Sequence, residues 1–196
     1  MKQPYTALHR SVYGVALSAM LLHRRGSSVV MIKIREASEE DQAGIAQVAA
    51  EATATLRRVY RLNARALANR TAMKRSLVCL VAEMDGAIVG TVEYAVEDHV
   101  LRVINLGVRE SFRRRGIARA LVEALVRIAR SSGVPCLLVH TVKETGNVPI
   151  FERMGFRVTA ESEDAYSEND SGAPLTDVQF RRYVCEPDSN HEQAEH

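Results

Sequence analysis

Cysteine is scarce in this sequence. Cys79, Cys136 and Cys185 are the only three, with no close pair and no metal-ligand spacing among them. That excludes a disulfide framework and a cysteine metal site. Cys79 and Cys136 lie in strand-like runs, where a cysteine packs as a small hydrophobe, and such unpaired thiols fit a reducing, cytoplasmic setting. An excess of one charge is also missing: 26 Lys and Arg stand against 24 Asp and Glu, a net charge of +2. No bulk field therefore draws the chain to nucleic acid or membrane, and basic residues matter only where they cluster. Long apolar runs are absent too. Residues 11–22 carry no charge, but a stretch that short cannot span a bilayer. It resembles the apolar part of a secretory signal, yet HRRG follows at once, where small cleavage-site residues belong. Residues 1–28 therefore read as an N-terminal extension, disordered or dispensable; an export or membrane signal is the competing reading.

What is present suits one soluble domain with tails: 196 residues, 46% hydrophobic and 26% charged. VVMIKIREAS, from Val29, alternates and reads as a strand. Ser38 with Asp41 signals a helix start, giving a helix over 39–51 and a second helical region over 53–70. LVCLVAE and AIVGTVEYAVE flank an Asp85-Gly86 hairpin turn. VLRVINLGV is a further strand. After Gly116, Ile117, Leu121, Leu125 and Ile128 share one helical face, and Gly133 ends that helix. PCLLVHTV is a strand, NVPIFERMG a short helix stopped by Gly155, and FRVTA and TDVQFRRYV are the last strands. The order β-α-α-β-β-β-α-β-α-β-β predicts an α/β fold, a mixed central β-sheet flanked by helices. The 77–97 hairpin must be antiparallel, while strands 100–108 and 135–141, joined by a helix, should be parallel. The domain is placed at 29–185 and a disordered polar tail at 186–196.

One stretch breaks a local rule. In RESFRRRGIARALVEAL, Arg113, Arg114 and Arg115 crowd the start of a helix, where the dipole normally favours acids. A strand, a glycine and a helix in succession build an anion site from unpaired N–H groups. Gly116 lets a phosphate approach the backbone, and arginine forks match phosphate oxygens. A polyphosphate bound there reverses the repulsion. A solvated basic turn is the plain alternative. Nucleic acid is disfavoured, because no aromatic platform accompanies the arginines.

LGVRESFRRRGIARALVEAL resembles the acyl-CoA-binding motif of the GNAT N-acetyltransferases: Arg or Gln, two residues, Gly, one residue, Gly or Ala, here Arg113, Gly116 and Ala118. NVPIFERMGF resembles the family's later motif. The resemblance implies that the amides of residues 114–119 (Arg114, Arg115, Gly116, Ile117, Ala118 and Arg119) cradle the acetyl-CoA pyrophosphate. It further implies a bulged strand at Leu106, Gly107 and Val108, whose backbone pairs with pantetheine and holds the acetyl carbonyl. Asn147 and Phe151 join this cofactor-binding set, and no metal is implied. Where the family usually places a tyrosine acid, this chain has Phe151. Asn147 lies four residues before that aromatic instead of the family's seven, so either the helix is shortened or Asn147 only caps it, the reading that Pro149 favours.

The implied reaction is direct attack of a primary amine on the thioester. An alkylammonium with pKa about 10 must first lose a proton. Two candidate bases emerge: His140, at the end of the strand parallel to the cofactor strand, and Glu93. The basic stretch 55–70 and the acidic stretch 161–170 lie where family acceptor sites are found, although both also read as solvated surface. The acceptor, a small molecule or a protein amine, is not specified, and a homodimer is compatible with the sequence. The rival reading is a catalytically weak acyl-CoA-binding regulatory module.

Overall fold

The computed structural model describes residues 19–25, 28–66 and 77–184. Cys185, the polar tail, residues 1–18 and the end of the expected second helical region lie outside them. An eight-stranded sheet forms the middle layer. Its strands are β1 (Ala19–Arg25), β2 (Ser28–Glu36), β4 (Val78–Met84), β5 (Ala87–Glu97), β6 (Val100–Val108), β7 (Cys136–Val142), β8 (Arg157–Glu163) and β10 (Thr176–Tyr183), in the spatial order β1-β2-β4-β5-β6-β7-β10-β8. β3 (Arg61–Leu62) and β9 (Ser167–Glu168) form a separate two-stranded ribbon. The 78–97 hairpin is antiparallel and β6–β7 is the parallel pair, as the connections require.

Helix α1 (Gln42–Leu56) lies on one face of the sheet, and α2 (Ile117–Ser131) on the other, with the short α3 (Val148–Arg153) beside it. α2 buries Ile117, Leu121, Leu125 and Ile128 as their spacing predicts, and also Ala120, Val122, Ala124, Val126 and Ala129. Its buried stripe is wide because it lies across a broad sheet. The main core gathers there, with Phe151, Phe156 and Phe180 at one end. On the α1 face only Val48, Val81 and Ile88 form a small second cluster.

The structure changes three expectations. The predicted break near residue 52 is absent: α1 runs unbroken to Leu56, then turns into β3, and only 64–66 resume helix before the described residues end. Ala52 and Ala54 favour helix, so nothing there stops it. Residues 161–170 are not merely a solvated loop, since β8 runs to Glu163 and β9 pairs with β3. Residues 19–25, read within an extension, form an edge strand paired residue by residue with β2.

β1 is separated from β6 by β2, β4 and β5, and Ile32 and Ile34 of β2, both after residue 31, lie in the main core. A chain starting at Met31 is therefore expected to stay soluble and to bind acetyl-CoA as tightly as the full chain. Calorimetry checks this, and loss of binding would make residues 1–30 part of the working domain.

The entry to α1 is anchored by a partly buried ion pair. Asp41, 7% exposed, receives Arg35 Nη1 and Nη2 at 2.6 and 2.8 Å, the Ser38 amide at 2.7 Å and the Ser38 hydroxyl at 3.0 Å. The Arg35 guanidinium, with Ser38, holds the Asp41 carboxyl well below the usual carboxylate range. A carboxyl depressed in the folded state stabilises fully above its unfolded pKa of about 3.9 and loses that contribution as pH falls toward its folded value. Asp41→Asn is expected to cost roughly 2–3 kcal/mol at neutral pH, less than a fully buried pair because Arg35 keeps some solvent. It should also flatten the acid limb below about pH 4. Urea melts of both chains across pH check both effects.

Candidate active site

The strand-to-helix junction carries the backbone strain that its glycine suggested. After β6, a 3₁₀ turn covers Glu110–Phe112. Arg114 then takes φ +60° and Gly116 φ +80°, both left-handed. The first helical bond of α2 runs from the Ala120 N–H to the Gly116 carbonyl at 2.9 Å. The amides of Ile117, Ala118 and Arg119 therefore lie ahead of the ladder and converge at the positive end of the helix dipole.

This junction forms one end of a cleft of about 650 Å³, lined from β6 by Leu106, Gly107 and Val108. The cleft exists because β6 and β7 pair only at Val100, Leu101 and Arg102 and then diverge. From 103 onward, the β7-facing edge of β6 has no sheet partner, which leaves backbone N–H and C=O groups available to an extended ligand. The implied bulge is present slightly earlier than expected: Asn105 (φ +48°) and Leu106 together oppose Val92, between the Thr91–Gly107 and Glu93–Ile104 pairs. Gly107 also meets α1, since a Cβ there would sit 3.2 Å from Val48 Cγ1 and 3.3 Å from Ala52 Cβ.

The arginines divide their work. Arg113 donates Nε to the Val108 carbonyl at 3.2 Å and Nη2 to Thr55 Oγ1 at 3.1 Å, clamping α1 to the loop. Arg115 donates to the Ser111 carbonyl at 2.6 Å and stacks 4.9 Å over Phe112, and it does not line the cleft. Arg119 donates to the Arg153 carbonyl at 2.6 Å, tying the α2 start to the α3 end. Arg114 lines the cleft and is exposed. A second tie joins α1 to the loop: Glu51 receives the Glu110 amide at 3.0 Å and Arg109 Nε at 3.1 Å. That amide first, and Arg109 with it, lower the Glu51 carboxyl from its ordinary value.

Ala52, Thr55 and Leu56 of α1 also line the cleft, as do Ile150, Arg153 and Met154 near α3. Sequence reasoning missed them, because their approach to the loop depends on contacts far apart along the chain, as in Thr55–Arg113 and Arg119–Arg153. Asn147 stands at the N-cap position of α3 without a side-chain cap bond, contrary to the capping expectation. Its Nδ2 instead donates to Thr141 Oγ1 at 3.4 Å, and the residue lines the cleft. Phe151 lines the cleft too, packed edge-on to Phe156 at 5.7 Å and tilted against Phe180 at 5.5 Å.

Neither candidate base lines the cleft. Both lie on the sheet face opposite α2, on β5 and β7, with β6 between them. Glu93 accepts from Asn105 Nδ2 at 2.5 Å and pairs across β4 with Cys79. Burial, with the Glu93 carboxylate nearby, pushes the Cys79 thiol up to about 11, so it stays protonated and unreactive. His140 bonds Asp177 and belongs to the stretch of β7 that has left β6. The basic and acidic stretches meet each other: Arg61 bonds Glu168 and Asp170, each at 3.0 Å. Among the described residues, no group of three or more His, Cys, Asp or Glu could hold a metal ion, and no helix is long and apolar enough to cross a membrane.

The chain resembles several known proteins in sequence or in fold. Rat N-acetyltransferase 8 is 38% identical over 89 residues, covering 42% of this chain and 40% of that protein, so the match spans less than half of the relative. The ribosomal-protein-S18-alanine N-acetyltransferase of Escherichia coli superposes with a TM-score of 0.62 at 16% identity, over 82% of this chain and 98% of its own. The yncA protein of Salmonella typhimurium, solved with its cofactor acetyl-CoA, gives 0.59 at 19% identity, over 81% and 96%. At these identities the superpositions establish the fold. The model of the acetyltransferase (GNAT) family matches residues 44–156, from the first turn of α1 to the residue before β8. That span contains the loop, the bulge and the cleft, and the chain belongs to the GNAT family of acetyltransferases.

Proposed function

We propose that this chain transfers the acetyl group of acetyl-CoA to a primary amine by direct attack within a ternary complex. The observation that carries the reading is the bare β6 edge running through the cleft to the amides at the start of α2. That channel suits a ligand with an extended amide-bearing arm and a pyrophosphate. Arg114 and the amides of residues 114–119 would hold the phosphates, while Arg113 holds α1 against the loop. The β6 edge at Leu106, Gly107 and Val108 would pair with the arm and donate to the carbonyl oxygen as charge builds on it. Asn147 and Phe151 would flank the arm on the α3 side. Acetyl-CoA supplies the activated acyl group. His140 or Glu93 would take the amine proton. That the rat and E. coli proteins are N-acetyltransferases supports nitrogen as the acceptor atom, and the cysteine usage supports a cytoplasmic setting.

The test is an acetyl-CoA assay with free-thiol detection across small polyamines, a peptide with a free N-terminal alanine, and a lysine peptide. Saturable, acceptor-dependent thiol release is expected from one class. Tight CoA binding with no turnover on any amine would replace this reading with an acyl-CoA-binding module.

A further inference from the structure

On the sheet face opposite α2, His140 and Asp177 form an imidazole–carboxylate pair. Leu137 and Val139 point into the α2 core, so Leu138 and His140 point to the other face. Val178 and Phe180 do the same on β10, which turns Asp177 and Gln179 toward His140's side. In register, His140 opposes Gln179 and Val142 opposes Asp177, making the pair a same-face diagonal. His140 Nδ1 lies 2.8 Å from Asp177 Oδ2, with the side chains 41% and 29% exposed. Pairing between β6 and β7 stops at Leu138, so His140 lies two residues past the last β6–β7 pair, where the strands have parted.

We propose that Asp177 is a positioning residue for His140, fixing its proton on Nδ1 and leaving Nε2 as the basic nitrogen. The inference rests on reading His140 as the base. An ionised carboxylate only accepts hydrogen bonds, so an imidazole nitrogen bonded to it carries the proton. In the neutral ring the other nitrogen then has a bare lone pair. The acceptor ammonium gives one N–H proton to Nε2, and the ring becomes an imidazolium with protons on both nitrogens. The Asp177 carboxylate accepts from Nδ1 throughout. The Nε2 proton later passes to water or to the departing thiolate. Glu93 has a different partner: the Asn105 amide donates to one of its oxygens.

The test combines a spectroscopic and a kinetic measurement. Two-bond ¹H–¹⁵N spectra of the full chain, recorded above the ordinary histidine titration range, are expected to show the Nδ1–H tautomer for His140. In Asp177→Ala they should show a shift toward Nε2–H, with Asp177→Glu restoring the original pattern in part. Kinetically, Asp177→Ala is expected to lower kcat about tenfold or more with KM for acetyl-CoA unchanged. In a His140→Ala background the same change should cost nothing further, because the two residues act as one unit. An equal loss in both backgrounds would mark a merely structural role and overturn the inference. An inactive His140→Ala chain beside a fully active Asp177→Ala chain with an unchanged tautomer would overturn it alone. A His140→Ala chain with wild-type turnover would overturn the base reading and the inference with it.

Discussion

Gly116→Glu is expected to leave a folded protein that no longer binds acetyl-CoA. Gly116 has φ +80° at the start of α2, a conformation that costs an L-residue about 1–2 kcal/mol. That strain lowers the melting temperature by several degrees without unfolding a domain whose main core lies under α2. The larger effect is on binding. A carboxylate at this position neutralises the positive helix end and fills the space where a phosphate would meet the amides. Affinity should fall at least about 100-fold, roughly 3 kcal/mol. Gly116→Asn tolerates the left-handed backbone and adds no charge, so it should lose much less. Calorimetry with acetyl-CoA on chains of matched circular dichroism checks both variants. Unchanged affinity in a folded Glu variant would remove the cradle from the binding site. Arg113→Ala should weaken binding less than Gly116→Glu, by no more than one charge-assisted contact of about 1.5–3 kcal/mol, since Arg113 lines the cleft as well as clamping α1 to the loop.

Phe151 has two separable roles, and two substitutions should divide them. Its ring is 8% exposed and packs between Phe156 and Phe180. Phe151→Ala is expected to cost about 3–5 kcal/mol, through lost burial and the cavity left behind. Phe151→Tyr adds one hydroxyl to a side chain that lines the cleft. If that oxygen opens to the cleft, stability should stay within a few degrees of wild type; a hydroxyl buried without a partner would cost about 1–3 kcal/mol. The wild type is expected to turn over without a phenol, because a thiol with pKa about 8.5 leaves as thiolate far more readily than an alcohol. The Tyr variant should turn over faster at saturating acetyl-CoA, though by less than the roughly 10²–10⁴-fold of a well-placed acid. A slower Tyr variant of unchanged stability would show that the hydroxyl does not reach the sulfur. Undetectable wild-type turnover with every amine would leave an acyl-CoA-binding module.

The amino-acid sequence by itself determined whatever depends on neighbours along the chain. The apolar period after Gly116 set the buried face of α2, the Asp85-Gly86 turn set the β4–β5 hairpin, and the connection through α2 set β6 and β7 parallel. Ser38 and Asp41 announced the α1 entry, and the strand–glycine–helix order announced the left-handed turn at Gly116 that opens α2. Tertiary structure decided the rest, because those features join residues far apart in sequence. Which arginines stay available for a ligand depended on partners: Arg113 found Thr55 and Val108, Arg115 found Phe112, and Arg119 found the Arg153 carbonyl. The basic and acidic stretches, each legible as solvated surface, met as β3 and β9, where Arg61 lies opposite Glu168 and also pairs with Asp170. Asn147 looked like a cap until folding placed Thr141 within reach. The His140–Asp177 pair was invisible in one dimension, since it follows from the β7–β10 register rather than from any spacing. Local periodicity fixes the face a residue presents, and only packing fixes what that face meets.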